Sequence, residues 1–316
     1  MVAESDRSLP RRLFFALGIR NYRLYFIGQL VSVSGTWMQR VAQAWLVLSL
    51  TGSGTAVGGL TALQFLPILV LAPLGGVIAD RVDKRRLLYV TQSLAGAIAA
   101  TLGLLIVTDR VELWMVYAMA FALGLVACVD NPARQAFIIE MVGRDRLTNA
   151  VSLNSVLVNA ARVFGPALGG VLIVTVGIGT CFLINAASYL ALITALVVMR
   201  DAEMVKAEPS PRGRGQVRQG LRYAARTPRL IVPLVMLAVI GIFSYEYSVI
   251  LPLLARFTFG GDANTFGIMF TAIGIGAVAG GLKTGARTEY RAATLSLLAG
   301  ALGIALGVVA VAPNLW

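Results

Sequence analysis

Residues 55–79 read TAVGGLTALQFLPILVLAPLGGVIA, and residues 80–86 read DRVDKRR. The first stretch carries no charge. At about 1.5 Å per residue it is long enough, as a helix, to cross the roughly 30 Å hydrocarbon core of a bilayer. The second stretch follows at once with Arg81, Lys84, Arg85 and Arg86. An apolar run closed by a basic link is a pattern that recurs along the chain, and it decides the fold class.

Apolar windows of this kind lie near 24–50, 55–79, 87–108, 111–129, 149–174, 178–199, 230–254, 264–282 and 292–312. They are too long, and alternate too little, to be strands of a β-barrel. The expectation is an all-α polytopic membrane protein. Of 316 residues 58% are hydrophobic and 13% charged, and the mean hydropathy is +0.80. A soluble fold of this size cannot enclose that much apolar surface.

Charge placement sets the direction of the spans. Arg7, Arg11, Arg12, Arg20 and Arg23 precede the first. The link after span 2 holds the four basic residues above, and the link after span 4 holds Arg134, Arg144 and Arg146. Eight more lie between 200 and 229, and Lys283, Arg287 and Arg291 follow span 8. Links on the other side carry Arg110 and Arg256 alone. Short loops rich in Lys and Arg stay cytoplasmic, so the N-terminus is expected there, in a cell (inner) membrane. The net charge of +12 is then a basic surface beside anionic lipid, with no nucleic-acid partner implied.

Other chemistry is closed off. The chain has no histidine, which removes His-based metal sites and Ser-His or Cys-His catalysis. Cys128 and Cys181 sit in apolar runs and imply neither a disulfide framework nor zinc. No G-x-x-x-x-G-K-[ST] loop is present, so nothing marks an ATP-driven pump. The reading is not an enzyme, with no metal and no bound cofactor.

The chain divides into a cytoplasmic segment 1–20, a six-helix bundle 21–199, a basic linker 200–229 and three further spans in 230–316. Residues 10–20 read as a short amphipathic stretch on the membrane surface. The linker holds Pro209, Pro211, Gly213 and Gly215 and passes into a short basic helix at 216–226. Set against itself so that Arg23 meets Arg229, the sequence also pairs Gly35 with Gly241, Trp37 with Phe243 and Arg40 with Glu246. Gly75 and Gly76 fall within one residue of Gly280 and Gly281. Repeated halves are common in transporters. A six-span first half then implies a six-span second half, of which three spans are present: nine of twelve.

Two motifs carry the chemistry. Gly76-Val-Ile-Ala-Asp80-Arg81-Val-Asp83-Lys84-Arg85-Arg86 places an acid that can cap a helix beside bases that can pair across helices. It is similar to the G-x-x-x-D-R-x-G-R-R motif of the major facilitator superfamily, with Asp83 in place of the second glycine. Gly165-Pro166-Ala-Leu-Gly169-Gly170 in span 5 resembles the antiporter motif of exporters in that superfamily, with Ala161 and Ser152 where upstream glycines are expected. The stretches 35–48 and 131–137, with Asn154-Ser155 and 185–189, resemble the branch containing enterobactin and macrolide exporters. The resemblance implies a twelve-helix major facilitator fold, alternating access and export in exchange for protons. It makes Gly76, Asp80, Arg81, Lys84 and Arg85 a conformational gate.

Charges inside spans are costly and functional by default. Arg40, Arg162 and Glu246 are such residues, all near mid-span. Glu246 is the candidate proton-coupling carboxylate. Arg40 or Arg162 is a candidate for binding an acidic group, and a fixed charge pair is the alternative to both. Gln39, Gln43 and Gln64, with Gln29, are expected to face a cavity, since amides avoid lipid. Gln39 and Gln43 lie one turn apart on one face. Trp37, Phe243 and Tyr245, with Trp45, Phe65 and Tyr247, are the aromatic candidates to line a path for an amphipathic, drug-like or siderophore-like molecule. Asp80 and Asp130 are placed at cytoplasmic helix ends, in structural pairs. The partners expected are a small molecule, protons and the lipid bilayer. A membrane sensor or scaffold that keeps the fold without transporting is the alternative.

Overall fold

The computed structural model describes residues 14–205, 247–285, 300–305 and 307–308, with Arg222, Tyr223, Arg226, Thr227, Ile231, Val235 and Met236 between them. Six long helices come first: α1 (Arg20–Thr51), α2 (Gly54–Arg81), α3 (Lys84–Val107), α4 (Leu113–Val142), α5 (Leu147–Val176) and α6 (Ile178–Val198). After the long link come α7 (Tyr247–Leu253), which runs into a π-helical turn at Leu254–Thr258, and α8 (Ala263–Gly285). Among the described residues there is no strand. Phe243, Tyr245, Glu246 and most of 216–226 lie outside the described residues.

Short turns make successive helices antiparallel. Gly52 ends α1 in the left-handed region, at φ 63°, where a side chain would be strained. Asp83 caps α3: its Oδ1 accepts from the Arg86 N–H at 2.8 Å. The residue that departs from the family pattern is thus the one that starts the helix, and Asp80 is not the cap.

Helices α2 to α6 are each long and apolar enough to cross a membrane. Their outward side chains are apolar; Leu69 is 82% exposed, and Phe164, Leu190 and Val197 are also bare. An apolar belt of this kind is what a helix bundle turns to lipid. α1 is the longest helix, at 32 residues, yet it carries Asn21, Gln29, Ser32, Gln39 and Gln43. All five are buried, because α1 packs between α5 and α6 in the middle of the bundle. Gln29 Nε2 donates to Asn154 Oδ1 at 2.9 Å, and Asn185 Nδ2 donates to Gln39 Oε1 at 2.6 Å. Gln29 and Gln39 are held there because each finds a partner on the next helix.

One end of the bundle collects the basic links. There Arg85 holds the last carbonyls of α6. Its Nε donates to Leu196 O at 2.7 Å and its Nη2 to Met199 O at 2.9 Å, and it pairs with Asp201. Lys84 pairs with Glu140 of α4 at 3.5 Å. Asn21 grips Arg200, donating to its carbonyl at 2.8 Å and accepting from its N–H at 3.1 Å. Residues 200–205, expected as the start of a free linker, are therefore strapped to this basic face.

Two further expectations change. The described part of the stretch 10–20, expected to lie on the membrane surface, forms a single 3-10 turn, Phe15–Gly18, that packs on α1 and α5. Ala16 is fully buried, and its N–H donates to Asn149 Oδ1 at 2.9 Å. Span 4, expected to stop near 129, continues through Pro132 to Val142. Arg134 is consequently not a loop residue, and Asp130 is not at a helix end. They form a buried pair one helical turn apart at 2.5 Å, and Asp130 also accepts from Thr91 at 2.6 Å and Gln92 at 2.8 Å. A neutralised pair can sit inside a helix where a lone arginine would mark its end.

α7 and α8 join the first bundle at the end opposite the basic face. In the repeat register, Gly54 stands beside Gly260 and Arg81 beside Arg287, and α8 fills the corresponding window. Helix α8 is thus the counterpart of α2.

Candidate functional site

The α1 side chains Trp37 and Arg40 project towards α5, and Arg162, at the middle of α5, comes to meet them. The Arg40 guanidinium lies 4.4 Å from the Trp37 ring centroid and that of Arg162 lies 5.0 Å from it. Two of the expected ionisable residues are therefore gathered on one of the expected aromatics. This contact between cations and an indole face is worth more when shielded from water. Arg40 is not at the middle of its helix: α1 starts early on the basic side, which leaves Arg40 about 16 Å short of the Thr51 end at 1.5 Å per residue.

Beside this cluster is a niche of about 30 Å³ lined by Arg40, Gln43, Leu60, Thr61, Gln64, Phe65 and Ser248. It is bounded by α1, α2 and α7. Gln43 and Gln64 thus line this niche. Gln39 does not: bonded to Asn185, it joins α1 to α6 inside the bundle. Four residues advance a helix by 400°, so the two glutamines are offset by about 40° around α1, enough to part them.

The glycine-proline motif of α5 has two working faces. A Cβ on Gly165 would stand 2.5 Å from Trp37 Cβ and 2.7 Å from Ser34 O, and one on Gly169 would stand 3.1 Å from Met38 O. Both therefore let α1 approach. Gly170 and Pro166 face α8: a Cβ on Gly267 would stand 2.8 Å from Gly170 Cα and 2.9 Å from Pro166 O. Trp37 and Trp45 reach the same seam, with ring centroids 5.9 Å from Phe270 and 6.4 Å from Phe266. Arg256 closes the end, donating to Leu48 O at 3.2 Å.

Among the described residues, the close contacts of the seam lie towards one end of the helices. α5 and α8 touch from Gly170 and Gly267 down to Arg162 and Gly274. Towards the basic face, Val151, Val156 and Ile275 are exposed. The described helices of the second part thus close on the first at the opposite face and part towards the basic face.

The gate residues divide as well. Lys84 and Arg85 are spent inside the first bundle, on Glu140 and the end of α6. Asp80 and Arg81 are exposed, and they line with Lys84, Arg85, Arg86 and Tyr89 a cavity of about 960 Å³. A Cβ on Gly76 would meet nothing within 4 Å. Its neighbour Gly75 is the close-approach residue, pressed on the Cys128 carbonyl of α4. Sequence reasoning missed Gly75 as a packing contact, along with Phe266, Phe270 and Ser248. The aromatic pairs of the seam had no signal in the sequence beyond apolar character.

The profile of the transmembrane secretion effector family matches residues 14–316. Among curated proteins, the chain is 26% identical over 261 residues to a staphyloferrin A transporter of Staphylococcus aureus, covering 81% of this chain and 64% of that one. It is 28% identical over 306 residues to the multidrug efflux pump Tap of Mycolicibacterium fortuitum, covering 92% and 74%. It is 25% identical over 297 residues to the enterobactin exporter EntS of Citrobacter koseri, covering 92% and 70%. Among solved structures, a bacterial homologue of the human lysosomal transporter Spinster, inward-facing and unoccupied, superposes with a TM-score of 0.63 at 15% identity. That match covers 89% of this chain and 64% of that one. The chain therefore spans about two thirds of the length of proteins it resembles. With a profile match from Phe14 onward, an all-helical bundle and that likeness of fold, the chain belongs to the transmembrane secretion effector family of the major facilitator superfamily.

Proposed function

We propose that the protein is a secondary active exporter of a small amphipathic molecule, drug-like or siderophore-like, working by alternating access in exchange for protons. The observation that carries the reading is the one-sided seam. α8 meets α5 on glycine and α1 on aromatic rings at one end, and the Trp37–Arg40–Arg162 cluster lies where the α5 contact runs out. A molecule entering from the basic face, taken as cytoplasmic, reaches the cluster. Rocking the halves about the seam would then open the other side. The names of its relatives, a staphyloferrin transporter, an enterobactin exporter and a multidrug pump, support this class of cargo.

Glu246 is the proposed proton carrier, the Asp80–Arg81 end of α2 the proposed gate, and a transmembrane proton gradient the driving force. No cofactor is needed for such a cycle. Reconstitution of the whole chain in vesicles with a fluorescent pH indicator tests the proposal. Addition of hydrophobic dyes or siderophores should release protons from loaded vesicles, and Glu246→Gln should abolish that coupling while binding persists. A folded, oriented protein that moves neither protons nor any of these molecules would refute export. It would favour a sensor or scaffold.

A further inference from the structure

The niche next to Trp37 is built from donors that have nothing to donate to. Arg40 Nε and Gln43 Nε2 are both buried with no hydrogen-bond partner. Gln43 is 2% exposed and lines the niche together with Arg40. No carboxylate among the described residues pairs with Arg40. Arginine keeps its charge at any physiological pH and offers only donors. A buried guanidinium edge beside an unfilled amide N–H therefore asks for an acceptor, and its charge asks for an anion. The volume, about 30 Å³, suits a group of one or two oxygen atoms rather than a whole molecule. Leu60 and the half-exposed ring of Phe65 form the apolar flank, and the Trp37 ring adjoins on the other side of Arg40.

We propose that this niche is an anion subsite. It receives one carboxylate, or an equivalent small anionic group, of an amphipathic acid whose apolar body lies against Phe65 and Trp37. Arg40 supplies the charge, and Gln43 and Gln64 flank it. Ser248 of α7 closes the niche from the second part of the chain. A group held there touches both parts at once and is sensitive to their separation. The inference rests on the export reading for the source of the acid, and a free anion such as chloride offers the same chemistry.

Binding to the purified full chain in lipid nanodiscs tests it, with naphthalene-2-carboxylate and naphthalene-2-carboxamide as probes of equal shape. The carboxylate should bind about tenfold tighter or better. Arg40→Gln should erase that preference, Arg40→Lys should keep part of it, and Arg110→Gln, on an exposed turn, should leave it intact. Competition by chloride that vanishes in Arg40→Gln would support the site and show that free anions also enter. Equal binding of the two probes, no carboxylate binding, or a preference that survives Arg40→Gln in a monodisperse protein would overturn it. Export is read separately in vesicles. An Arg40-dependent preference without transport leaves the subsite and removes the exporter; transport indifferent to Arg40→Gln and to charge does the reverse.

Discussion

Two helix interfaces in this molecule differ in how they are bridged. Where α1 meets α6, Gly28 closes on Ala191 and Leu192, and polar side chains tie the helices together. Gln39 bonds Asn185, the Thr36 and Tyr189 hydroxyls stand 3.4 Å apart, and Asn21 clasps Arg200. Where α5 meets α8, the contact is glycine against glycine, flanked by rings of α1 packed on rings of α8. A polar link between these helices is Thr271 to Val163 O, at 3.4 Å. Directional bonds in a dry interior have one good geometry and resist sliding. Apolar and backbone contacts have many nearly equivalent ones. The first interface holds a bundle together; the second is suited to move.

Substitutions that overfill a backbone contact should have the largest effect. Gly75→Val would press a side chain on the Cys128 carbonyl and should abolish monodisperse protein, since overpacking costs typically about 1–3 kcal/mol and more where backbone must shift. Gly76→Val, one residue on, meets open space and should purify normally. If both behave alike, α2 is rotated from the position described.

At the seam the contrast should be functional. Gly267→Val would strike Gly170 and Pro166. The first bundle should still fold, but export should fall by about tenfold or more, because a separation of some 1.4 kcal/mol between the two states is enough. Wild-type efflux from this variant would show that the seam is not the moving contact.

A smaller loss is expected within the bundle. Asn185→Leu strands Gln39, a cost of about 1–3 kcal/mol. It should lower the melting temperature with little change in the transport rate of the protein that remains folded. A selective loss of transport would place Gln39 in the cycle after all. The smallest effect belongs to Arg85→Gln. The α6 carbonyls near the basic face can turn to water, so the readout is faster proteolysis of 199–205 rather than unfolding. Unchanged proteolysis would mean that Asn21 alone straps the segment.

The first six spans were legible because crossing a bilayer demands long apolar runs. What the sequence hid is rotational. Gly75 and Gly76 are adjacent letters that point about 100° apart, and nothing in either says which meets α4. Gln39 and Gln43 share a face in spacing but part company between α6 and the niche. Arg134 looked like a loop charge because its partner Asp130, four residues back, was read separately. The partners of Arg85 are carbonyls more than a hundred residues away, for which no spacing rule exists. Of the candidate site, the sequence located Trp37, Arg40 and Arg162 as residues, and the structure showed that they converge.

The central claim is that the seam at the end opposite the basic face opens. Spin labels at Thr175→Cys on α5 and Phe257→Cys on the turn before α8 report it directly, since both positions are exposed and the native Cys128 and Cys181 are buried. In nanodiscs, the distance between them should show two populations whose ratio shifts between acidic and neutral pH. A single unchanged distance under every condition would contradict the account.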